Sequence, residues 1–151
     1  KGMRKKPELM ARIFAKLGKE ILAYMKLAKE QGADFISYAD SSGGVNILGP
    51  KMAEQIVDLF TYDFVKQAGK LADEHTMILL CPKTTFALLG TGKAKLIDCQ
   101  IYDDRSQEED SLSYAEACIQ MKGKIRFAGQ TCIKNLDYRM KNGIMKEVHI
   151  L

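Results

Sequence analysis

The sequence predicts an α/β fold built on a parallel sheet. Helical and strand-like segments alternate along the chain, one helix and then strand and helix repeated about four times. Such alternation calls for parallel strands joined by helical crossovers. The strand segments Ile36–Ala39 and Met77–Leu80 are also apolar on both faces, as parallel strands covered from both sides are.

The first element is a helix from Pro7 to Gly32, with Leu9, Ile13, Leu17, Leu22, Met25 and Ala28 recurring every three to five residues. Pro7 suits its first turn and Gly32 the left-handed stop after its last. Residues 33–39 follow as a strand, closed by the polar cluster Asp40-Ser41-Ser42-Gly43-Gly44. After Gly49-Pro50 a second helix runs from Lys51 to about Asp73, its apolar face supplied by Met52, Ile56, Phe60, Phe64 and Ala68. Residues 76–81 form the next strand, halted by Pro82, and a short helix over 85–89 ends at Gly90 and Gly92. A strand over 95–101, a charged loop over 103–110, a helix over 112–121 and a strand over 125–129 complete the repeats. The last segment, from Leu136, reads as a helix leading into a short strand over 148–151.

Composition narrows the function. The chain has 151 residues, is 46% apolar and 28% charged, and carries a net charge of +4. These are the proportions of one ordinary globular domain, residues 1–151, with apolar residues enough for a core. Four of the positive charges stand in the first six positions, so no basic stripe marks a nucleic-acid binder. The longest apolar run, Met77 to Cys81, falls far short of the ~18 residues a membrane span needs. The cysteines at 81, 99, 118 and 132 form no CxxC pair, which excludes a zinc ribbon and reads as reduced thiols in a cytoplasm.

Ligand-binding groups in α/β folds gather at the carboxyl ends of the strands. There the chain places Asp40–Gly44, Cys81–Thr85, Asp98–Tyr102 and Gly129–Cys132. Cys81, Cys99 and Cys132 close three successive strands, so a thiolate-rich metal site with Asp40 or Asp98 as an oxygen ligand is one reading; thiols filling small gaps is the other. Lys83-Thr84-Thr85 opens a short helix and either binds an anion or caps that helix. Gly90-Thr91-Gly92-Lys93 has Ala87 and Ala94 where a phosphate loop needs Gly and Ser or Thr, and the motif fails. His75 lies at the opposite end of the strand from Cys81, ~20 Å away at the strand rise, and cannot share a metal with it.

The order of these pieces resembles the uroporphyrinogen decarboxylase superfamily, which includes the corrinoid-linked methyltransferases. The resemblance rests on Gly32-Ala33-Asp34 before a strand, Asp40-Ser41-Ser42-Gly43-Gly44 after it, and Leu48-Gly49-Pro50-Lys51 opening a helix. Ile78-Leu79-Leu80-Cys81 with Lys83-Thr84-Thr85 is similar to the methyltransferases' His-x-Cys-Gly-x-Thr, and Phe127-Ala128-Gly129-Gln130 to a strand ending in Gly-Asn. The resemblance implies a (β/α)₈ barrel, of which this chain matches the later part, roughly half. It further implies methyl transfer between a corrinoid protein carrying methylcobalamin and a thiol or pterin acceptor. Cys81 would then be a zinc ligand or hold the acceptor, with Asp40 as a catalytic carboxylate and Ser41, Ser42, Lys83, Thr84 and Gln130 lining the pocket. The superfamily's histidine, however, is Leu79 here, and leucine binds no metal. In the decarboxylase branch Ser41 would instead hold a propionate of a tetrapyrrole. A third reading is a non-catalytic barrel fragment or binding module.

A barrel of this kind takes ~250 residues. The expectation is therefore a fragment, or half-barrels that pair, with the inner faces of Ile36, Ile78 or Leu79, Ile97 and Phe127 uncovered. Exposing such side chains costs ~1.5–3 kcal/mol each. A free half-barrel would then self-associate through its open edges or inner face, as a homo-oligomer or with the remainder of the barrel.

Overall fold

The computed structural model describes residues 2–40, 44–101, 112–140 and 142–151. A one-turn helix α1 (Gly2–Lys5) precedes α2 (Pro7–Glu30), which ends at Gly32 with φ +85°, the left-handed stop the sequence predicts. Then come β1 (Phe35–Tyr38), α3 (Val45–Leu48) and α4 (Pro50–Ile56). The helix continues through a π-turn (Val57–Thr61), α5 (Tyr62–Ala68) and a 3₁₀ turn (Gly69–Leu71). After these follow β2 (Met77–Leu80), α6 (Pro82–Gly90), β3 (Ala94–Gln100) and α7 (Tyr114–Met121). The chain closes with β4 (Phe127–Ala128), a 3₁₀ turn (Ile133–Asn135) and β5 (Ile144–Ile150). No described helix is long and apolar enough to cross a membrane.

The strands form one sheet in the order β1-β2-β4-β5-β3. β1, β2 and β4 are parallel, with Tyr38 opposite Leu80 and Leu79 opposite Ala128. The expectation of a wholly parallel sheet fails at its other side. β5 runs antiparallel to both β4 and β3, pairing with β3 along the full length of the two strands. The final segment is the cause. Ile144–Ile150 is one seven-residue strand, not a helix leading into a short strand. It offers Met145 and Val148 as buried anchors, and it separates β3 from β4.

Helices cover both faces of the sheet. On one, Ile36, Tyr38, Ile78, Leu80, Phe127 and Val148 pack with Met25, Phe60, Phe64 and Val65 of the long helices and Leu88 of α6. Gly18 brings α2 close, since a Cβ there would lie 3.1 Å from the Phe60 ring. Phe14, Phe60 and Phe64 stack in sequence at centroid distances of 5.3 and 5.2 Å, and Tyr38 meets Phe64 at 4.6 Å. Phe60 lies within the π-turn, whose wider hydrogen bonding adds a residue to the helical repeat.

On the other face, Met77, Leu79, Ala128 and Met145 pack with Tyr114, Ala117, Cys118 and Met121 of α7. This corrects the picture of an uncovered inner face. Ile36, Ile78 and Phe127 are buried under the long helices and α6, and Leu79 under α7, while Ile97 is half-buried.

Candidate functional site at the carboxyl ends of the parallel strands

β1, β2 and β4 end on one edge of the sheet. The Cys81 N–H donates to the Tyr38 carbonyl at 2.9 Å, continuing the β1–β2 ladder one step beyond the strands. Continuing both registers places Ala39, Cys81 and Gln130 level with one another, and Asp40 one residue further on. Cys81 is extended, half-buried and the cap of α6; Pro82 takes the first helical position, where no N–H is required. Strand therefore passes to helix within a single residue. Its phase is that of Met77 and Leu79, the face covered by α7.

The first turn of α6 contributes Lys83, exposed, and Thr84 and Thr85, each 3% exposed. Both threonine hydroxyls are buried without a hydrogen-bond partner among the described residues, a cost on the order of 1–3 kcal/mol apiece. Thr85 Oγ1 lies against Gly129. A Cβ built there would collide with it and stand 2.7 Å from Val148 Cγ2, so only glycine fits. On the α7 side, the buried Tyr114 hydroxyl sits beside the Gln130 and Thr131 backbone and the Cys118 thiol, again without a well-formed hydrogen bond. Burial pushes the Tyr114 phenol up and the Cys118 thiol up to about 12, so both stay protonated at neutral pH. The segment Gly129–Thr131 is thus flanked on each face by an unpartnered hydroxyl.

Gln130 is exposed, and its Oε1 accepts from the Lys146 N–H at 3.2 Å, tying the end of β4 to β5. Asp40 is half-buried and adds to the burial that raises the Tyr38 phenol. The sheet thus brings Asp40, Cys81, Lys83, Thr84 and Gln130 to one edge. Ser41 and Ser42, from the same loop as Asp40, lie outside the described residues. The order of strands keeps Cys99 away. β3 is three strands from β2, about 14 Å at the usual ~4.8 Å strand spacing. Burial, and then the nearby Glu147, raise the Cys99 thiol. Cys132, half-buried, caps the 3₁₀ turn after β4, and Asp98 is paired with Lys146 at 2.5 Å.

Sequence reasoning missed Tyr114 and Cys118 because it placed the α7 start too loosely. The signal was Ser113-x-x-Glu116, a capping box whose two reciprocal hydrogen bonds are both formed and which fixes Tyr114 as the first helical residue.

A catalytic zinc site needs about three protein ligands, and the residues present do not supply them. Leu79 is packed against α7, and no group of three His, Cys, Asp or Glu able to hold a metal occurs among the described residues. What the edge offers is a thiol, a carboxylate, a helix N-terminus with a lysine, and unsatisfied hydroxyls.

A sheet with three parallel strands, helical crossovers and a polar edge at the strand ends defines an α/β protein. By its match to the family model of uroporphyrinogen decarboxylase over residues 1–129, the chain belongs to the uroporphyrinogen decarboxylase family. No curated protein and no solved structure matches the chain.

Proposed function

We propose that the chain is part of a methyltransferase of this family, moving a methyl group from a corrinoid protein to a thiol or pterin acceptor. The reading rests chiefly on Cys81, a half-buried thiol at the carboxyl end of β2 where the strand turns directly into α6. In this reading the acceptor lies across the ends of β1, β2 and β4. Its charge is received by Lys83 and the first turn of α6, and Cys81 and Gln130 contact its reacting end. Asp40 takes the proton of an acceptor thiol. The thiolate sulfur then attacks the methyl carbon of methylcobalamin: the S–C bond forms, the Co–C bond breaks, and cobalt leaves with the electron pair. The three-strand edge is the docking face for the corrinoid protein.

A second reading is a tetrapyrrole decarboxylase, favoured by the anion-receiving turn Lys83-Thr84-Thr85, which suits a substrate carboxylate equally well. The two are separated by assaying methyl transfer from methylcobalamin to a thiol alongside CO₂ release from a porphyrinogen. Methyl transfer without CO₂ release is the expected result. The reverse establishes the second reading, and neither activity leaves a binding module.

A further inference from the structure

The opposite end of the sheet carries a concavity that the proposed function does not use. β4 and β5 are joined by one register pair, Ala128 opposite Glu147, and the pairing does not continue toward Arg126 and Ile150. A groove of about 730 Å³ lies there, between these strands and the end of α5. That volume falls within the ~300–1,000 Å³ of small-molecule sites.

Its apolar lining residues are Phe127, Val148 and Ile150, the first two almost wholly buried beneath it. Gly69 forms one wall and must be glycine for close packing, since a Cβ would stand 2.7 Å from the Phe127 ring. Lys66 and Lys70, four residues apart, and Arg126 line the rim. Among the described residues Lys66 has only a neutral partner, donating to the Tyr62 hydroxyl at 3.2 Å and lying 4.9 Å over that ring. The side chains of Lys70 and Arg126 have no ion-pair partner among the described residues. Two carboxylates also border the groove. Asp63 also lies in the field of Lys93, and Glu147 in that of Cys99; the three cations outnumber the two carboxylates.

Three cations around an apolar lining, none with a described acidic partner, specify a ligand chemistry. We infer that this groove is a second binding site, for a small organic anion with an apolar body and a phosphate or carboxylate head. Arg126 presents the planar fork that such heads accept, and the lysines add point charges. The apolar lining excludes a bare inorganic ion as the preferred ligand.

Calorimetric titration of the intact chain with phenyl phosphate, and separately with phenylmalonate, tests this. The expected result is one site per chain for at least one of the two probes, weakening as salt is raised. The double variant Lys70→Glu, Arg126→Glu should weaken it by about tenfold, and Lys70→Glu alone by about threefold, as loss of exposed charge contacts implies. Inorganic phosphate should bind at least about tenfold more weakly than phenyl phosphate. Both substituted side chains are exposed, and a circular dichroism spectrum matching the parent's checks that the variants are folded. Affinity unchanged in the double variant, binding abolished by Lys83→Glu at the other end of the sheet, or no binding of either probe would overturn the inference.

Discussion

The three orphan hydroxyls set the terms at the scale of single residues. Thr84, Thr85 and Tyr114 are buried without partners among the described residues, Thr85 and Tyr114 flanking the Gly129–Thr131 segment, and such buried groups carry a cost that a partner would relieve. Thr85→Val keeps the shape and removes the unsatisfied group, so chemical denaturation should show the free protein stabilised by about 1 kcal/mol. Acceptor binding should weaken in the same variant; a loss of stability would mean that the hydroxyl already has its partner inside the fold. A second residue-scale effect concerns acid. Asp73 accepts from Lys29 and from the N–H groups of His75 and Thr76. These hold its carboxyl at about 2, below the ordinary 3.8. A depressed carboxyl contributes stability that is fully present above its unfolded value and is lost as pH falls through the folded one. The stability gap between the parent and Asp73→Asn should therefore be constant above about pH 4 and close toward pH 2, as read from urea midpoints. A gap independent of pH would dismiss the pairing. The chemical identities Asp40, Cys81, Lys83 and Gln130 were legible because residue type and strand-end position are both written in the sequence. Tyr114 was not, since its place beside Gln130 and Thr131 depends on α7 folding across the sheet face.

At the scale of elements, α7 decides the architecture. It fills the face of Met77, Leu79, Ala128 and Met145, and it is set by the capping box of Ser113 and Glu116, with hydrogen bonds of 3.2 and 2.7 Å. Ser113→Ala should cost about 1 kcal/mol by loss of the cap. Thermal unfolding monitored at Tyr114 should register it; an unchanged midpoint would show that packing alone fixes the helix. Strongly periodic elements such as α2 and the apolar strand β2 fall close to where the sequence puts them. β5 does not. Its residues Met145 to Ile150 alternate as well in a strand as the charges Lys146 and Glu147 suit a helix, and pairing with β3, 44 or more residues away in sequence, resolves the ambiguity. Local pattern carries no record of such a partner.

The whole molecule is a mixed five-stranded sheet between helical layers, with its candidate site on one end and an anion-binding groove on the other. With α7 in place, the drive to self-associate through an open inner face is removed. The outermost strands β1 and β3, and the exposed α2 residues Leu9, Ile13, Leu17 and Leu27, remain. Sedimentation at micromolar concentration should accordingly give a species heavier than 16.9 kDa, and a clean monomer would show that the layered sheet needs no partner. The central claim is that Cys81 at the β2 edge receives the methyl acceptor. Methyl transfer from a methylcobalamin-bearing corrinoid protein to a small thiol, followed by the absorbance change of the corrinoid, measures it directly. The account predicts transfer by the parent protein and a loss of about a hundredfold in Cys81→Ser, within the range for removing one reacting-centre contact, with the fold intact by circular dichroism. Equal rates in the two proteins, or CO₂ release from a porphyrinogen in place of methyl transfer, would contradict it.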